Sequence, residues 1–348
     1  MASATVHPDA AQAPLEGARA GGWWRSKAMR RFRRNPLGIV GTLILLFFLV
    51  VAVFAPQFTA SQLITYRNNC VRDLGLSAGT VEQIRNPLTF AFWRSIAASP
   101  GSCYTIPRAS FSQVPTPPSD TAIMGTTSGG YDIYYGLVWG TRTAFISALI
   151  VTGFGIIVGI IVGSIAGYFG GWIDNILMRV IDVIFAIPGL ILAMVIVTIL
   201  GQSLTNVIIA LSIFAWAGYA RFLRGEILRV RELDFVDGAR ALGARSPRLI
   251  FRHVLPNAIG SMLILASLDI GAVVLGVAAL NFLGLGAQPG FADWGQMVNF
   301  ARGWMTGLPG QPFAYWYVIF WPSFIILLFV LGWNLLGDAV RDVLDVRT

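Results

Sequence analysis

Charged residues, lysine, histidine and cysteine are all scarce in this chain, and each shortage excludes a class of protein. Of the 348 residues, only 12% are Asp, Glu, Lys or Arg, whereas 55% are hydrophobic. A soluble domain of this length needs far more charge on its surface, so the composition predicts an all-α protein that crosses a membrane several times. Lys27 is the only lysine and it follows Ser26, so the chain lacks the GxxxxGK loop of nucleotide hydrolases.

Metal-binding and nucleic-acid-binding functions are also disfavoured. The only histidines, His7 and His253, have no cysteine beside them, so we predict no metal site. The net charge of +8 comes from arginines that flank apolar stretches, and no nucleic-acid motif accompanies them. We therefore attribute this charge to contact with the lipid bilayer and expect no nucleic-acid partner.

Long apolar stretches predict six membrane spans, because about 20 apolar residues cross a bilayer core. The predicted spans are Leu37–Phe54, Thr141–Tyr168, Val180–Leu200, Val207–Tyr219, Ile259–Leu283 and Ala314–Leu336. Pro188 predicts a kink in the third span. The fourth is short, which suggests an interrupted or partly buried helix. The second contains Gly153, Gly155, Gly159, Gly163 and Gly167, so we expect its backbone to pack closely against another helix.

The distribution of Lys and Arg predicts that both termini are cytosolic, since most of the 25 basic residues then lie on the inner side. The chain accordingly begins with a cytosolic tail (1–36), a first span (37–55) and an outer loop (56–133). A core of five spans follows (134–337), and it includes a cytosolic hairpin (229–257) and a second outer loop (284–313). The chain ends with a cytosolic tail (338–348). This topology places the first loop outside the cell membrane.

Cys70 and Cys103 are the only two cysteines, and both fall in that first outer loop. In an oxidising compartment they can pair as a disulfide, and the alternative is two buried thiols. We favour the disulfide, because no cysteine lies in a predicted span.

Residues 233–257 form a charged, amphipathic island between two apolar spans. Phe235, Ala239 and Leu242 have the i, i+4, i+7 spacing of a helix with one apolar face. Gly243 is predicted to end this helix, because glycine readily takes the left-handed conformation that a helix C-terminus often needs.

A second short helix is predicted directly after the glycine. Ser246 is its predicted N-cap, Pro247 its first residue and Pro256 its end. Such a hairpin either docks its apolar anchors into a groove on a partner protein or lies on the lipid surface. In the second case four arginines meet anionic headgroups: Arg240, Arg245, Arg248 and Arg252.

The order of residues in this hairpin resembles the EAA signature of ABC importer permeases. That signature contains Glu-Ala-Ala, a glycine four residues on, and His-x-Leu-Pro. The matching positions are Asp237, Gly238, Ala239, Gly243, His253, Leu255 and Pro256, with Arg240 in the same helix. Asp237 and Gly238 depart mildly from the signature. The resemblance implies that these residues form the coupling helix, which seats in an ATPase.

Further motifs resemble the C-type permease of oligopeptide and dipeptide ABC importers. They are Asn35 to Gly38, Gly125-Thr126 through Arg142, Asp182 through Pro188, Asn281 to Gly286 with Trp294-Gly295, and Asn334 to Asp338 with Arg341-Asp342. Val277 departs from the family, in which many members carry a glutamate. The resemblance implies a type I ABC importer permease fold with six transmembrane helices and, in this chain, an extended extracytoplasmic loop.

The resemblance also implies a set of partners in a bacterial cytoplasmic (inner) membrane. These are a paralogous B-type permease, two ABC ATPases that hold ATP and Mg, and an extracytoplasmic binding protein that delivers peptide. No cofactor is expected in this chain. A cargo other than peptide, such as a nickel chelate, stays open at the level of sequence.

The competing hypothesis is a secondary transporter driven by an ion gradient. Such proteins carry ionisable groups within their spans, where charge is costly and usually functional. Asp182 and Asp269 are the candidates. Asp182 lies near Arg179, which favours a structural ion pair. Asp269 and Asn281 are candidates for the translocation path, although Asp269 can equally pair with another chain.

Overall fold

The computed structural model describes residues 32–65, 69–74, 83–97, 100–307 and 309–344. Within these ranges the chain is helical, with three isolated β-bridges and no strand. Most of the predicted N-terminal tail and the last four residues of the chain lie outside the described residues.

The α-helices are, in chain order, α1 (Pro36–Val53), α2 (Ala55–Phe58), α3 (Ala60–Thr65), α4 (Asn69–Asp73), α5 (Phe90–Ala97), α6 (Ile133–Phe169), α7 (Gly171–Phe185), α8 (Gly189–Leu200), α9 (Leu204–Arg231), α10 (Asp234–Ala241), α11 (Ser246–Leu249), α12 (Leu255–Phe282), α13 (Trp294–Ala301) and α14 (Trp316–Leu344). Short 3₁₀ turns lie at Gly101–Tyr104 and Arg302–Trp304, and a π-helical turn at Ile250–Val254 joins α11 to α12.

Five helices in the described part are long and apolar enough to cross a membrane: α1, α6, α9, α14, and α12 with the turns before it. The bent pair α7 and α8 is a sixth candidate span. The helical, multi-span membrane fold predicted from the composition is therefore confirmed.

The fourth span is longer than predicted. Instead of an interrupted segment at Val207–Tyr219, α9 is a continuous helix of 28 residues. The arginines in its second half lower its hydropathy, so the apolar stretch underestimates its length. One of them is neutralised by a partner, since Arg224 binds Asp174 of α7 through two N–O contacts of 2.5 Å.

Two other helices extend beyond their predicted ends. Asp132 caps α6 by accepting a hydrogen bond from the Tyr135 amide at 3.0 Å, so this helix begins at Ile133 rather than at Thr141. α14 continues to Leu344, so the predicted C-terminal tail begins as the last turns of that helix.

The third span is broken, and the break lies where Pro188 predicts a kink. α7 and α8 meet at an angle of 80° across residues 186–188. Proline lacks the amide proton that would continue the helix, and it disfavours helical geometry at the preceding residue, Ile187.

The glycines of α6 let α9 approach its backbone closely. Gly155, Gly159, Gly163 and Gly167 are buried against Tyr219, Ala220, Leu223 and Ile227. A Cβ atom at Gly159 would overlap the Cβ atom of Tyr219. Gly153 is the exception, because a Cβ atom there would meet no atom within 4 Å. Four of the five glycines therefore form the packing face.

The first outer segment is a small folded cap rather than an open loop. Cys70 of α4 and Cys103 form a disulfide, and both residues are fully buried. Tyr135 of α6 donates a hydrogen bond to the Cys103 carbonyl at 2.8 Å. Backbone hydrogen bonds from Ile106 to Gly290 and from Ala292 to Tyr104, at 2.7 and 2.6 Å, tie the cap to the second outer segment.

Arg142 connects the cap to the first span. Its guanidinium donates to the carbonyls of Ala52 and Val53 at the C-terminus of α1 and to the Ile96 carbonyl of α5 in the cap. Its neighbour Trp139, fully buried, donates a hydrogen bond to Thr59 at 3.0 Å. The cap therefore packs on the bundle through side chains of α6.

We expect Gly159→Ala to destabilise the protein by about 1–3 kcal/mol, because the added methyl group forces α6 and α9 apart. Gly153→Ala is the matched control. It meets no atom, so it should keep or raise stability by up to about 1 kcal/mol through helix propensity. The measurement is the thermal unfolding midpoint of both variants in detergent, and equal midpoints would contradict the packing argument.

Replacing both Cys70 and Cys103 with serine should lower the stability of the cap by about 2–4 kcal/mol, as expected for a loop closed across 33 residues. Limited proteolysis from the outer side measures this effect as faster cleavage within residues 56–133. A cleavage rate equal to that of the unchanged protein would show that the disulfide contributes nothing to the cap.

Candidate functional site

α10 is the first arm of the hairpin that the sequence predicts to be cytosolic, and its charges suit its dipole. Asp234 and Asp237 lie in the first turn and Arg240 in the last, so acidic groups face the positive end and a basic group the negative end. Asp237 and Arg240 also form a salt bridge of 2.7 Å on the exposed face. A pair so exposed contributes little to stability.

Gly243 turns the chain after α10. Its φ is +82°, in the left-handed region that side chains rarely adopt. The Gly243 amide donates to the Arg240 carbonyl at 3.0 Å, and the Ala244 amide to the Ala239 carbonyl at 3.1 Å. These two bonds make a Schellman motif, which satisfies the last carbonyls of the helix and fixes the turn.

The hairpin is anchored to the bundle by one buried face. Val236 is fully buried in a cluster with Leu249, Val254, the C-terminal half of α9 and the N-terminal half of α12. Ala239 and Leu255 pack against the same cluster. The hairpin is therefore held to two spans by apolar contacts rather than by the chain connection alone.

The predicted apolar stripe of α10 is only partly correct. Ala239 does pack inward, but Phe235 and Leu242 point outward and are 46% and 90% exposed. Phe251 of the π-helical turn is 71% exposed as well. Val236 makes the inward contact that the spacing assigned to Phe235. We refer to the three exposed residues Phe235, Leu242 and Phe251 together as the outer apolar face of the hairpin.

The second arm also differs from its prediction. Arg245, not Ser246, is the N-cap residue, and Pro247 lies in the first turn of α11. Pro256 does not end this arm, because the π-helical turn passes directly into α12. The Leu255 amide donates to the Ile250 carbonyl. This wider turn lets Pro256, which has no amide proton, enter the helix in its first turn.

The remaining residues of the signature line the surface of this hairpin. Gly238 is exposed, and a Cβ atom there would meet no atom within 4 Å. His253 is half-buried, and its carbonyl accepts a hydrogen bond from the Asn257 side chain at 2.6 Å.

Asp269 lies midway along α12 and lines an open cavity of about 710 Å³. The Tyr219 hydroxyl of α9 donates a hydrogen bond to its carboxylate at 2.7 Å. Asp182, the other candidate within a span, pairs with Arg221 of α9 instead of Arg179. The structural ion pair of Asp182 therefore involves Arg221 and not Arg179, the arginine closer to it in the sequence.

Asn281, the other candidate for the translocation path, has its side-chain hydrogen bonds within its own chain. It is buried, its amide group donates to the Val277 carbonyl at 3.0 Å, and its carbonyl oxygen accepts from the Ala287 amide at 2.7 Å. Asn281 therefore fastens the turn that follows α12.

The second outer segment contains a buried helix that the sequence did not predict. Asp293 caps α13 by accepting from the Gln296 amide at 3.2 Å, and burial raises the pKa of Asp293 to about 6. Trp294, the first residue of α13, donates to the Leu137 carbonyl of α6 at 3.0 Å. An acidic residue directly before this short apolar run is the signal that could have identified the helix.

Two family profiles match the chain. One, described as the inner membrane component of binding-protein-dependent transport systems, matches residues 155–348. The other, described as the N-terminal transmembrane domain of oligopeptide transport permease C, matches residues 22–69.

Curated relatives agree with these profiles. The dipeptide transport system permease protein DppC of Alkalihalophilus pseudofirmus is 35% identical over 93% of this chain and 90% of its own length. The glutathione transport system permease protein GsiD of Pectobacterium atrosepticum is 40% identical over 66% of this chain and 74% of its own length.

A solved structure of the MetNI methionine ABC transporter, in an inward-facing conformation, aligns with 60% of this chain and 96% of its own. The identity is 19% and the TM-score 0.49. The profile and the curated relatives, which cover most of the sequence, decide the classification. The chain belongs to the family of inner-membrane permease components of binding-protein-dependent ABC transport systems.

Proposed function

We propose that this chain is the C-type transmembrane subunit of a bacterial ATP-driven importer of di- or oligopeptides. The names of its relatives support a peptide cargo, since dipeptides and glutathione are both short peptides. The oligopeptide permease profile at the N-terminus supports the same class of cargo.

The observation that carries this proposal is the outer apolar face of the hairpin. Phe235, Leu242 and Phe251 are exposed although Val236, in the same helix as Phe235, is fully buried. Apolar anchors presented by a helix held firmly on its other side are suited to a groove on a partner protein. The partner that fits is an ATPase subunit, which supplies the ATP and Mg²⁺ chemistry.

The complete importer would contain four kinds of subunit. This chain pairs with a paralogous B-type permease, two ATPases dock on the hairpins, and an extracytoplasmic binding protein delivers the peptide. The cap with its disulfide faces the binding protein, and both termini of the chain face the cytosol.

The connections of the hairpin indicate how ATPase closure moves the spans. The hairpin begins at the end of α9 and passes without a break into α12, and both helices line the cavity at Asp269. When the two ATPases close, each hairpin moves as a rigid unit with these helices. The resulting rotation opens the cavity alternately to either side of the membrane.

Leu242→Glu should reduce co-purification of the ATPase at least tenfold, because it replaces the most exposed apolar side chain of the outer apolar face with a charged one. The variant should insert normally, since Leu242 is 90% exposed and contacts little of its own chain. Leu88→Glu is the matched control, because Leu88 is 92% exposed but lies in the outer segment. Unchanged recovery of ATPase with Leu242→Glu would refute the docking surface.

Gly243→Val should uncouple ATP hydrolysis from peptide uptake. Valine at a φ of +82° costs about 1–2 kcal/mol, so the Schellman turn distorts although no atom obstructs the side chain. Uptake and ATP hydrolysis are measured together in proteoliposomes, and we expect uptake to fall at least tenfold while hydrolysis persists.

Gly238→Ala is the control for the substitution in the Gly243 turn. It adds a side chain to the same hairpin at a position with free space and no positive φ, so it should retain coupling. Normal uptake by Gly243→Val would show that coupling does not depend on the Gly243 turn.

A further inference from the structure

The cavity beside Asp269 has the size of a small-ligand site. Its volume of about 710 Å³ lies within the range of about 300–1,000 Å³ in which proteins bind small molecules. α9 and α12 form two of its walls, and Ile187 and Gly189 at the break between α7 and α8 form part of a third.

Only two of the residues that line this cavity carry a charge, Arg221 and Asp269. Arg221 is already neutralised by Asp182, and its guanidinium lies 4.7 Å from the centre of the Phe185 ring. Asp269 receives a hydrogen bond from the neutral Tyr219 hydroxyl and forms no salt bridge with the described residues. Apart from the paired Arg221 and the Tyr219 hydroxyl, the cavity therefore presents one carboxylate without a cationic partner among apolar residues.

The position of this carboxylate argues against a purely structural role. Asp269 lies midway along a helix that is long enough to cross the membrane, where an ionisable group is costly and usually functional. The broken backbone at residues 186–188 lines the same cavity. Non-helical backbone inside a membrane protein is tolerated where protein buries it or where it borders a water-filled space. Two independent features therefore indicate that a polar ligand enters here.

We propose that Asp269 binds the ammonium group of the transported ligand, with the Tyr219 hydroxyl orienting its carboxylate. This inference rests on the proposed function, under which the ammonium group is the free amino terminus of a short peptide. The carboxylate accepts hydrogen bonds from the ammonium protons, and the apolar wall accommodates the peptide side chains. An inorganic cation such as sodium has the same charge and is the other source that the test must distinguish.

Cysteine labelling measures the charge of the cavity without transport. The only two cysteines of the sequence form the disulfide, so an added cysteine is the sole free thiol. Ala272 lines the cavity one helical turn from Asp269. In membrane vesicles that contain the assembled transporter, Ala272→Cys should react faster with a cationic than with an anionic methanethiosulfonate, relative to a free thiol.

Adding Asp269→Asn should lower this cation-to-anion rate ratio about tenfold, because the variant keeps the shape of the side chain but removes its charge. Ser323→Cys is the control, since Ser323 lines a separate apolar groove between α12 and α14. Its ratio should not respond to Asp269→Asn. An unchanged ratio at Ala272→Cys would overturn the inference, because the carboxylate would then be neutral or turned away from the cavity.

Ligand protection distinguishes the two sources of positive charge. Alanyl-alanine should slow the labelling of Ala272→Cys at least fivefold, and N-acetyl-alanyl-alanine should not. Sodium chloride and choline chloride at equal concentration should give equal rates. Protection by sodium alone, or by both peptides equally, would overturn the assignment of a peptide amino terminus.

ATP-dependent peptide uptake is measured in the same vesicles, so that the two proposals fail separately. Normal uptake with no effect of Asp269→Asn on the labelling ratio contradicts only the ammonium site. If Asp269→Asn changes the labelling ratio but peptide uptake does not depend on ATP, only the proposal of an ATP-driven importer is contradicted.

Discussion

The close approach of α6 and α9 determines the geometry of the rest of the bundle. Lipid offers apolar helices no hydrophobic reason to associate, so they associate where small residues allow backbone contact. Four glycines of α6 provide that contact, and Tyr219 packs against Gly155 and Gly159. The same tyrosine reaches Asp269 of α12. Because Tyr219 makes both contacts, the packing of α6 against α9 also sets the distance between α9 and Asp269 in the cavity wall.

α9 then connects the cavity to the hairpin. Its middle lines the cavity, Arg224 in its second half binds Asp174 through both carboxylate oxygens, and its end packs against Val236 of the hairpin. A bidentate arginine pair and a buried apolar cluster both resist bending of the helix. Under the proposed function, force applied at the outer apolar face would be transmitted along α9 and α12 rather than absorbed in a flexible linker.

At the end of the bundle opposite the hairpin, side-chain contacts hold the cap in place. The disulfide between Cys70 and Cys103 holds two distant parts of the cap together, and Tyr135 and Arg142 bind the cap to α6 and α1. The buried helix α13 completes this surface. The cap and the hairpin are thus both held in place by packing. The break at Pro188 is an irregular backbone segment, and it lies beside the cavity.

The sequence by itself determined the features that depend on local chemistry. Apolar stretches located the spans, Pro188 located the break, and Gly243 located the turn of the hairpin, because each effect acts within a few residues. The tertiary structure decided the rest. The full length of α9, the inward role of Val236, the fastening role of Asn281 and the isolation of the Asp269 carboxylate all depend on partners far away in the chain. Periodicity can identify an amphipathic helix, but only packing decides which of its faces the bundle covers.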